Sequence, residues 1–320
     1  LAAIDSLTGC EKAISDNMEG LFHLSSSNLT QSSISISLYN VLLKGYHFRG
    51  HSNSPEFELR VADSLSQCLR FYKSRNIPAC QACLRLMQEV ALSSPYVRLR
   101  LLRAGNVNAT SELISDNISN LEFVKIACLT LSTLAYEIPE FLCGDGSGQL
   151  ALGVLLRVAL MYRTDDEMVA ACFTAMWSLL TFHRGARNKV SSTNLFDILL
   201  DLMKNRHTFV DETIRVIVAA LSALITLSSD AFLTRAFDKG LAFLLTEMLT
   251  EDLTPSTMEE TLRAARWFAN RQDQARQQLA SSGVFETCMR IIWATNLDEN
   301  LLIEAMNTLS LLLYKNTELA

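Results

Sequence analysis

A small residue recurs near the start of long apolar helices along this 320-residue sequence. The clearest copy is FVKIACLTLSTLAYE, residues 123–137, where Ala127 stands early in the apolar stripe. The equivalent residues are Ala82, Ala127, Ala171, Ala220, Ala264 and Ala305, at spacings of 45, 44, 49, 44 and 41 residues. A helix held between two neighbours approaches them closely only where a side chain is small. The pattern therefore predicts a quasi-linear array of helical units of about 45 residues.

Each unit repeats one order of elements: a short helix, a Gly turn, a second helix, an acidic link and a long third helix. Gly105, Gly240 and Gly283 stand at the bend between the first two helices, where the permissive backbone of Gly is needed. Acidic residues open several third helices, which suits the positive end of the helix dipole. They are Asp165, Asp166, Glu167, Asp211, Glu212, Glu259 and Glu260. With 49% hydrophobic residues, 12 Gly and 5 Pro, the composition favours an all-α folded protein.

On these motifs the chain resembles the armadillo family. The segments AGNVNATSELI and ASSGVFETCMRII follow its second-helix pattern G-x-I-x-x-L-x-x-L-L, and VKIACLTLSTLA and LIEAMNTLSLLL follow its third-helix pattern A-x-x-x-L-x-x-L-A. The resemblance covers residues 57–315. It implies one domain over 1–320, an all-α, right-handed α-solenoid of about six to seven three-helix repeats. Residues 1–50 are interpreted as a degenerate N-terminal cap unit, because Ile34, Leu38, Val41 and Leu42 keep helical spacing.

The resemblance implies a non-enzymatic scaffold or adaptor that binds a segment of another protein, with a cytoskeletal or ciliary assembly as one setting. An alternative from a different class is a regulator or exchange factor for a nucleotide-binding protein, either a small GTPase or a chaperone. The cytoplasm is the expected compartment, while the nucleus, cytoskeleton and cilium stay open, as does the oligomeric state. Because the sequence begins with Leu1, we expect a fragment of a longer protein.

The sequence predicts no catalytic residue, no metal site and no cofactor. The five His residues lack ligand spacing, and His47 and His51 are interpreted as part of a loop. Cys80 and Cys83 form a CxxC without a second copy, so both are interpreted as small buried hydrophobes. The eight Cys residues favour a reducing compartment. The Gly-rich stretch 144–148 has no Lys-Ser/Thr after it and is predicted to be an inter-helix turn.

Importin-α-like members of the armadillo family place a Trp and, four residues on, an Asn along the groove face of the third helices. Counted from the six alanines, the Trp position is taken by Leu84, Leu129, Phe173, Ser222, Arg266 and Asn307. The Asn position is taken by Gln88, Thr133, Trp177, Thr226, Asn270 and Leu311. Only Asn270 matches, so recognition of nuclear-localisation signals is not expected.

The same positions still predict a partner-binding surface. Arg263, Arg266 and Asn270 lie at i, i+3 and i+7 and share one helix face. They would bind an acidic segment of a partner through charge-assisted hydrogen bonds, or they pair with neighbouring Glu residues. Thr226, Asn307 and Trp177 complete the set. Trp177 is either an exposed anchor for a partner or a residue of the core.

Charge and hydropathy exclude two classes of partner. The 28 Lys and Arg residues against 34 Asp and Glu residues give a net charge of −6, so no nucleic acid partner is expected. No membrane insertion is expected either, because the longest charge-free apolar stretch, 216–229, is shorter than the roughly 20 residues needed to cross a bilayer.

Overall fold

The computed structural model describes residues 20–21, 32–49, 55–73, 75–137, 147–183, 186, 193–251, 253–294 and 298–314. These residues contain sixteen α-helices of defined bounds, one short 3-10 turn and no strand, so the all-α prediction is confirmed. The helices are α1 Ser32–Arg49, α2 Pro55–Tyr72, α3 Ile77–Ser93, α4 Pro95–Arg103, α5 Asn106–Asp116, α6 Leu121–Ala135, α7 Ser147–Met161, α8 Asp166–Phe182, α9 Leu195–Lys204, α10 Asp211–Leu227, α11 Asp230–Asp238, α12 Leu241–Leu249, α13 Pro255–Arg271, α14 Asp273–Ser281, α15 Val284–Trp293 and α16 Glu299–Leu313.

Helix packing divides the chain into two compact units. Unit 1 comprises residues 1–158 and 182–186, and unit 2 comprises residues 159–181 and 187–320. In unit 1, α3 packs against α1, α2 and α6. In unit 2, α13 packs against α10 and α16, and α12 packs against α9 and α15. The single domain over 1–320 stays a prediction.

The first described helix covers part of the predicted cap unit at 1–50. Helix α1 begins inside the Ser-rich run and buries Leu38, Val41 and Leu42 completely. It continues through His47 to Arg49, so the prediction of a loop around His47 is wrong. The helix continues past Gly45, because one Gly destabilises a helix by only about 1 kcal/mol. His51 and the side chain of Ile34 lie outside the described residues.

Three helix triplets are complete within the described residues: α4–α6, α11–α13 and α14–α16. In each triplet, two residues separate the first helix from the second, and the second of them is Gly. Gly105, Gly240 and Gly283 have φ values of 78°, 81° and 95°, in the left-handed region that side chains with a Cβ avoid. The predicted role of these three glycines is confirmed.

The third helices repeat more regularly than the alanines that marked them. They are α3, α6, α8, α10, α13 and α16, and their first residues are 44, 45, 45, 44 and 44 positions apart. The six alanines are all buried, but they stand 5, 6, 5, 9, 9 and 6 positions after those first residues. Ala220 and Ala264 are therefore one helical turn later than the other four. The buried stripe recurs every three to four residues, so a small residue fixes the register only to within one turn.

Side chains at the starts of α8 and α10 contact the start of the next third helix. Asp166, the first residue of α8, accepts a hydrogen bond on Oδ1 from the backbone N of Val210 at 2.9 Å, just before α10 begins. Asp211, the first residue of α10, likewise accepts from the backbone N of Thr254 at 3.4 Å and from Thr257 Oγ1 at 2.6 Å. Each carboxylate satisfies an N–H at the start of the next third helix, which the helix itself leaves unpaired.

Two other predictions need correction or completion. Glu259 and Glu260 do not open α13, because this helix begins four residues earlier, at Pro255, after the capping residue Thr254. The predicted turn at 144–148 ends sooner than expected, since α7 already begins at Ser147, and residues 144–146 lie outside the described residues. None of the described helices has the length and apolar character that crossing a membrane requires.

Candidate partner-binding face

The third helices of unit 2 share one row of accessible side chains, which we call the third-helix stripe. Its members stand 4, 8, 11 and 15 positions after the first residue of each helix. They are Ala170, Thr174, Trp177 and Thr181 on α8; Arg215, Ala219, Ser222 and Thr226 on α10; Glu259, Arg263, Arg266 and Asn270 on α13; and Ile303, Asn307 and Ser310 on α16 with Tyr314 directly after it. All are at least partly exposed except Ala219 and Ser222, which are small and buried.

All six residues predicted to bind a partner lie on this stripe. Arg263 and Asn307 stand at position 8, Trp177 and Arg266 at position 11, and Thr226 and Asn270 at position 15. Asn270 and Asn307 are exposed, whereas Trp177, Thr226, Arg263 and Arg266 are partly buried. Thr226 donates its hydroxyl to the carbonyl O of Ser222 in its own helix at 2.8 Å.

Counted in the register of α10 and α13, the ladder assignments change on the other four third helices, and two of the changes concern residues predicted to bind a partner. Trp177 stands at the same position as Arg266, so it occupies the Trp position of the ladder instead of the Asn position. At the last third helix, α16, the Trp position is occupied by Ser310 instead of Asn307, and the Asn position is occupied by Tyr314. The reason is the one-turn ambiguity of the alanines. One Trp and one Asn therefore fit, on different helices, and the regular ladder is still absent.

Sequence reasoning missed Ser310 and Tyr314, although the sequence contains a signal that would have found them. Helix-capping side chains precede five of the six third helices, at Asn76, Asn120, Asp165, Thr254 and Asp298. Asn, Asp and Thr are preferred at that position because their side chains accept a hydrogen bond from a free N–H. Their spacing gives the register directly, which the small residues do not.

Arg263 and Arg266 converge on one buried carboxylate. The side chain of Glu304 on α16 is only 8% exposed, and its Oε1 accepts a hydrogen bond from Arg266 Nε at 2.5 Å. Arg263 Nε lies 4.0 Å from Glu304 Oε2, and Arg263 also donates to Glu260 at 2.6 Å and to Glu259. Two guanidinium groups thus face three carboxylates, and their charge is neutralised within the protein.

The side chain of Arg266 is fixed in a second way. Its guanidinium carbon lies 4.9 Å from the ring centroid of Trp267, a distance at which cation and ring attract each other. Held by Trp267 and by Glu304, the Arg266 side chain is 24% exposed. Next to it, one turn later, the amide of Asn270 is exposed at the end of α13. The two residues form a polar surface in which the Arg266 side chain is fixed.

Arg271 and Arg276, which follow Asn270 closely in the sequence, have structural roles. Arg271 donates through Nη1 to the carbonyl oxygens of Ile225 and Thr226, each at 3.2 Å, and through Nη2 to Asp230 at 3.0 Å. It therefore satisfies carbonyls at the C-terminus of α10, which would otherwise lack partners. Arg276 is buried and pairs with the acidic residue three positions before it, at 2.7 Å.

Two carboxylates beside the stripe have pKa values shifted in opposite directions. Hydrogen bonds from Arg215 at 2.8 and 2.5 Å lower the pKa of Glu212. Burial raises the pKa of Glu260, even though Arg263 lies beside it. Glu212 therefore favours the folded state above its ordinary pKa of 4.5 and loses that effect as the pH falls. Glu260 has the opposite sign and disfavours folding as the pH rises past 4.5.

The CxxC motif offers no reactive thiol. All six described Cys residues are free and buried. Burial raises the pKa of Cys80 to about 12 and that of Cys83 well above its ordinary value, so both behave as small hydrophobes, as predicted. Cys10 and Cys143 lie outside the described residues. Across the described part of the chain, no group of three or more His, Cys, Asp or Glu residues could hold a metal ion.

Comparison with known proteins identifies the fold. No family model and no curated protein matches the sequence. Among solved structures, an engineered protein from a structural genomics consortium is 18% identical over 97% of this chain and 72% of its own, with a TM-score of 0.76. A designed armadillo repeat protein is 18% identical, covering 78% of this chain and 99% of its own, with a TM-score of 0.63. Another, in complex with the peptide (KR)4, is 17% identical over 78% of this chain and 99% of its own, with a TM-score of 0.64. This chain therefore has an armadillo-like, all-α helical-repeat fold.

Proposed function

We propose that this chain is a non-enzymatic protein-binding scaffold that holds an extended segment of a partner protein along the third-helix stripe of unit 2. The observation that carries the proposal is the exposed amide of Asn270 beside the fixed Arg266 side chain. A carboxamide both donates and accepts hydrogen bonds, so it can pair with the N–H and C=O of an extended backbone. Asn307 presents a second exposed amide on the adjacent third helix.

The surrounding side chains need little ordering before a segment binds. Arg266 is held by Glu304 and Trp267, and Arg263 by three carboxylates. A surface that is already ordered loses less conformational entropy on binding. The peptide complex of the designed armadillo protein supports this mode for the fold. The compartment that we propose is the cytoplasm, in an adaptor role within a larger assembly.

The charge of the bound segment depends on Glu304. An acidic segment, as predicted from the sequence, has to compete with this carboxylate for Arg263 and Arg266. Neutralised arginines also give a weak field for nucleic acid, which supports a protein partner. Glu304→Gln would leave Arg266 without its ion pair and would raise the affinity for acidic segments.

Selection of a phage-displayed random peptide library on the full chain tests the proposal. Peptides that bind are synthesised, and their dissociation constants are measured by fluorescence anisotropy. Asn270→Ala should raise the dissociation constant by about tenfold, the effect of losing one or two hydrogen bonds to the peptide. Gln277→Ala, an exposed amide on α14 away from the stripe, is the matched control and should change nothing.

Two defined probes then test the charge preference: a peptide of alternating Glu and Ser residues, and (KR)4. We expect Glu304→Gln to increase the affinity for the acidic probe several-fold and to decrease that for (KR)4. Unchanged affinities for both would show that the bound segment does not contact these arginines. A library that yields no binder, or binders insensitive to Asn270→Ala and Arg266→Ala, would overturn the site assignment.

The alternative of an exchange factor for a small GTPase or a chaperone stays a prediction. Nucleotide release from candidate partners, measured with and without the chain, is the experiment that separates it from a scaffold. Acceleration of release would favour the alternative.

A further inference from the structure

Helices α2 and α4 of unit 1 form a cavity of about 640 Å³. Its wall is mostly apolar, with Leu59 from α2 and with Tyr96, Val97 and Leu99 from α4. Leu59 and Tyr96 are 39% and 77% exposed, so the apolar wall continues onto the surface of the protein. Cavities of about 300 to 1,000 Å³ that combine an apolar wall with a few polar groups are typical of binding sites.

Two polar side chains in the wall of this cavity are buried. Glu58 and Ser94 are each only 8% exposed, and neither side chain forms a hydrogen bond or an ion pair with any described residue. Ser94 stands at the N-cap position of α4, where a Ser hydroxyl commonly accepts from a backbone N–H, but it forms no such bond. A buried carboxylate without a partner destabilises the folded state, so packing alone does not account for Glu58.

Helices α2 and α4 run in the same direction along the cavity. Asp63 of α2 accepts hydrogen bonds from Nε and Nη2 of Arg100 on α4, at 2.7 and 2.9 Å. Arg70, further along α2, donates to the carbonyl O of Ala104, directly after α4. Glu58 precedes Asp63 on α2, so its carboxylate lies beside the start of α4.

The two basic residues of the wall leave the charge of Glu58 available. Arg100 is neutralised by its bidentate ion pair with Asp63. Arg103 has an interaction of its own and stands at the far end of the cavity, roughly 13 Å along α4 from Ser94 by the helical rise. Among the described residues of the wall, the end at the start of α4 therefore combines one negative charge, one hydroxyl and an apolar surface.

We propose that this cavity binds a lysine side chain of a partner protein, with its ammonium group paired to Glu58 and its aliphatic stem on the apolar wall. An ammonium group is a compact charge with three donors, and Glu58 and Ser94 supply oxygen acceptors for them. The four methylenes of a lysine pack on apolar surface in this way. Because Tyr96 extends the apolar wall beyond the cavity, residues next to the lysine find a surface as well, which favours a peptide chain over a free amine.

This site is independent of the proposed binding of a segment along the third-helix stripe. It belongs to unit 1 and to helices that precede third helices, whereas the stripe belongs to the third helices of unit 2. Substitutions in the stripe should therefore leave it unchanged.

Titration of the full chain with a blocked Leu-Lys-Leu tripeptide tests the proposal, with the methyl NMR resonances of Leu59 and Leu99 as reporters. In the matched peptide, norleucine replaces lysine and keeps an aliphatic stem without the ammonium group. The lysine peptide should bind at least about tenfold more tightly, the effect of hydrogen bonds to a charged group. Glu58→Gln should abolish this preference. Glu56→Gln is the control, because Glu56 is exposed in the same first turn of α2, and it should leave the preference intact.

Thermal unfolding supplies a second readout that needs no ligand. Glu58→Gln should raise the unfolding midpoint by a few degrees, because it removes a buried charge without a partner. Glu56→Gln removes a charge from the same helical turn without that gain and should not raise it. A lower midpoint for Glu58→Gln would show that this carboxylate stabilises the fold, and would overturn the proposal.

Three binding results would also overturn it. Equal affinities of the lysine and norleucine peptides would show that Glu58 recognises no cation. The absence of a saturable shift at Leu59 and Leu99 in millimolar peptide would show that the cavity is not a site for such a segment. Binding of n-pentylammonium as tight as that of the lysine peptide would assign the cavity to a free amine instead of a protein partner.

Discussion

At the scale of single residues, buried charge holds neighbouring repeats together. Arg206 lies in the 3-10 turn after α9, with its side chain only 2% exposed. Its Nε donates to Glu251 at 2.9 Å, Nη1 donates to the carbonyl O of Met203 at 3.0 Å, and Glu247 lies 3.4 Å from Nη2. Since Glu251 follows 45 residues later, this guanidinium links two successive repeats within unit 2.

We predict that Arg206→Ala lowers the free energy of unfolding by about 2 to 3 kcal/mol, because hydrogen bonds to charged groups and a packed side-chain stem are lost. Arg235→Ala is the control, since the Arg235–Asp197 pair is exposed on both sides and spans 3.7 Å. It should cost less than about 1 kcal/mol. Urea titration followed by Trp fluorescence measures both; equal costs would contradict the prediction.

Sequence reasoning reached the candidate site only partly at this scale. The shared face of Arg263, Arg266 and Asn270 follows from their spacing on one helix and could be predicted. Glu304 stands 38 residues after Arg266, and its pairing depends on how two repeats are aligned in space. The pairs of Arg263 with Glu259 and Glu260 lie within one helix and follow from spacing, whereas the bond from Arg266 to Glu304 depends on an alignment that the apolar pattern leaves uncertain by one turn.

At the scale of elements, the backbone decides where each repeat bends. Most helix positions follow from apolar periodicity, and the turns after α4, α11 and α14 follow from Gly. Apolar periodicity alone does not give the first residue of each third helix; the capping side chains mark it instead. The start of α13 at Pro255 instead of Glu259 is an example.

We predict opposite effects for two Gly→Ala substitutions. Gly240→Ala should destabilise the protein by about 1 to 2 kcal/mol, since φ is 81° there and a Cβ is strained at that angle. Gly153→Ala, inside α7 with no atom within 4 Å of the added Cβ, should stabilise it by up to about 1 kcal/mol. Thermal unfolding measured by circular dichroism distinguishes the two. Stabilisation by Gly240→Ala would contradict the left-handed turn.

At the scale of the whole molecule, the two units differ in the spectroscopic signals that report their unfolding. The three Trp residues of the sequence, at positions 177, 267 and 293, all belong to unit 2. Fluorescence therefore reports unit 2, whereas far-ultraviolet circular dichroism reports helices in both units. This difference allows the predicted single domain over 1–320 to be tested.

We expect Leu69→Ala, which opens a cavity in unit 1, to shift the circular dichroism transition in urea while the Trp transition stays in place. Leu69 is completely buried, and such a truncation costs about 2 to 5 kcal/mol. Leu245→Ala, equally buried in unit 2, is the reciprocal control and should move the Trp signal. If Leu69→Ala shifts both signals together, the chain unfolds as one domain.

The hydrogen bonds that Asp166 and Asp211 accept have a consequence for insertions and deletions. Because each carboxylate binds the start of the next third helix directly, we expect this contact to persist when the number of residues in the intervening chain changes. Extra residues before Val210 or Thr254 would extend an outer loop and leave the third-helix stripe in place. The order of the residues along the third-helix stripe should therefore tolerate changes in repeat length.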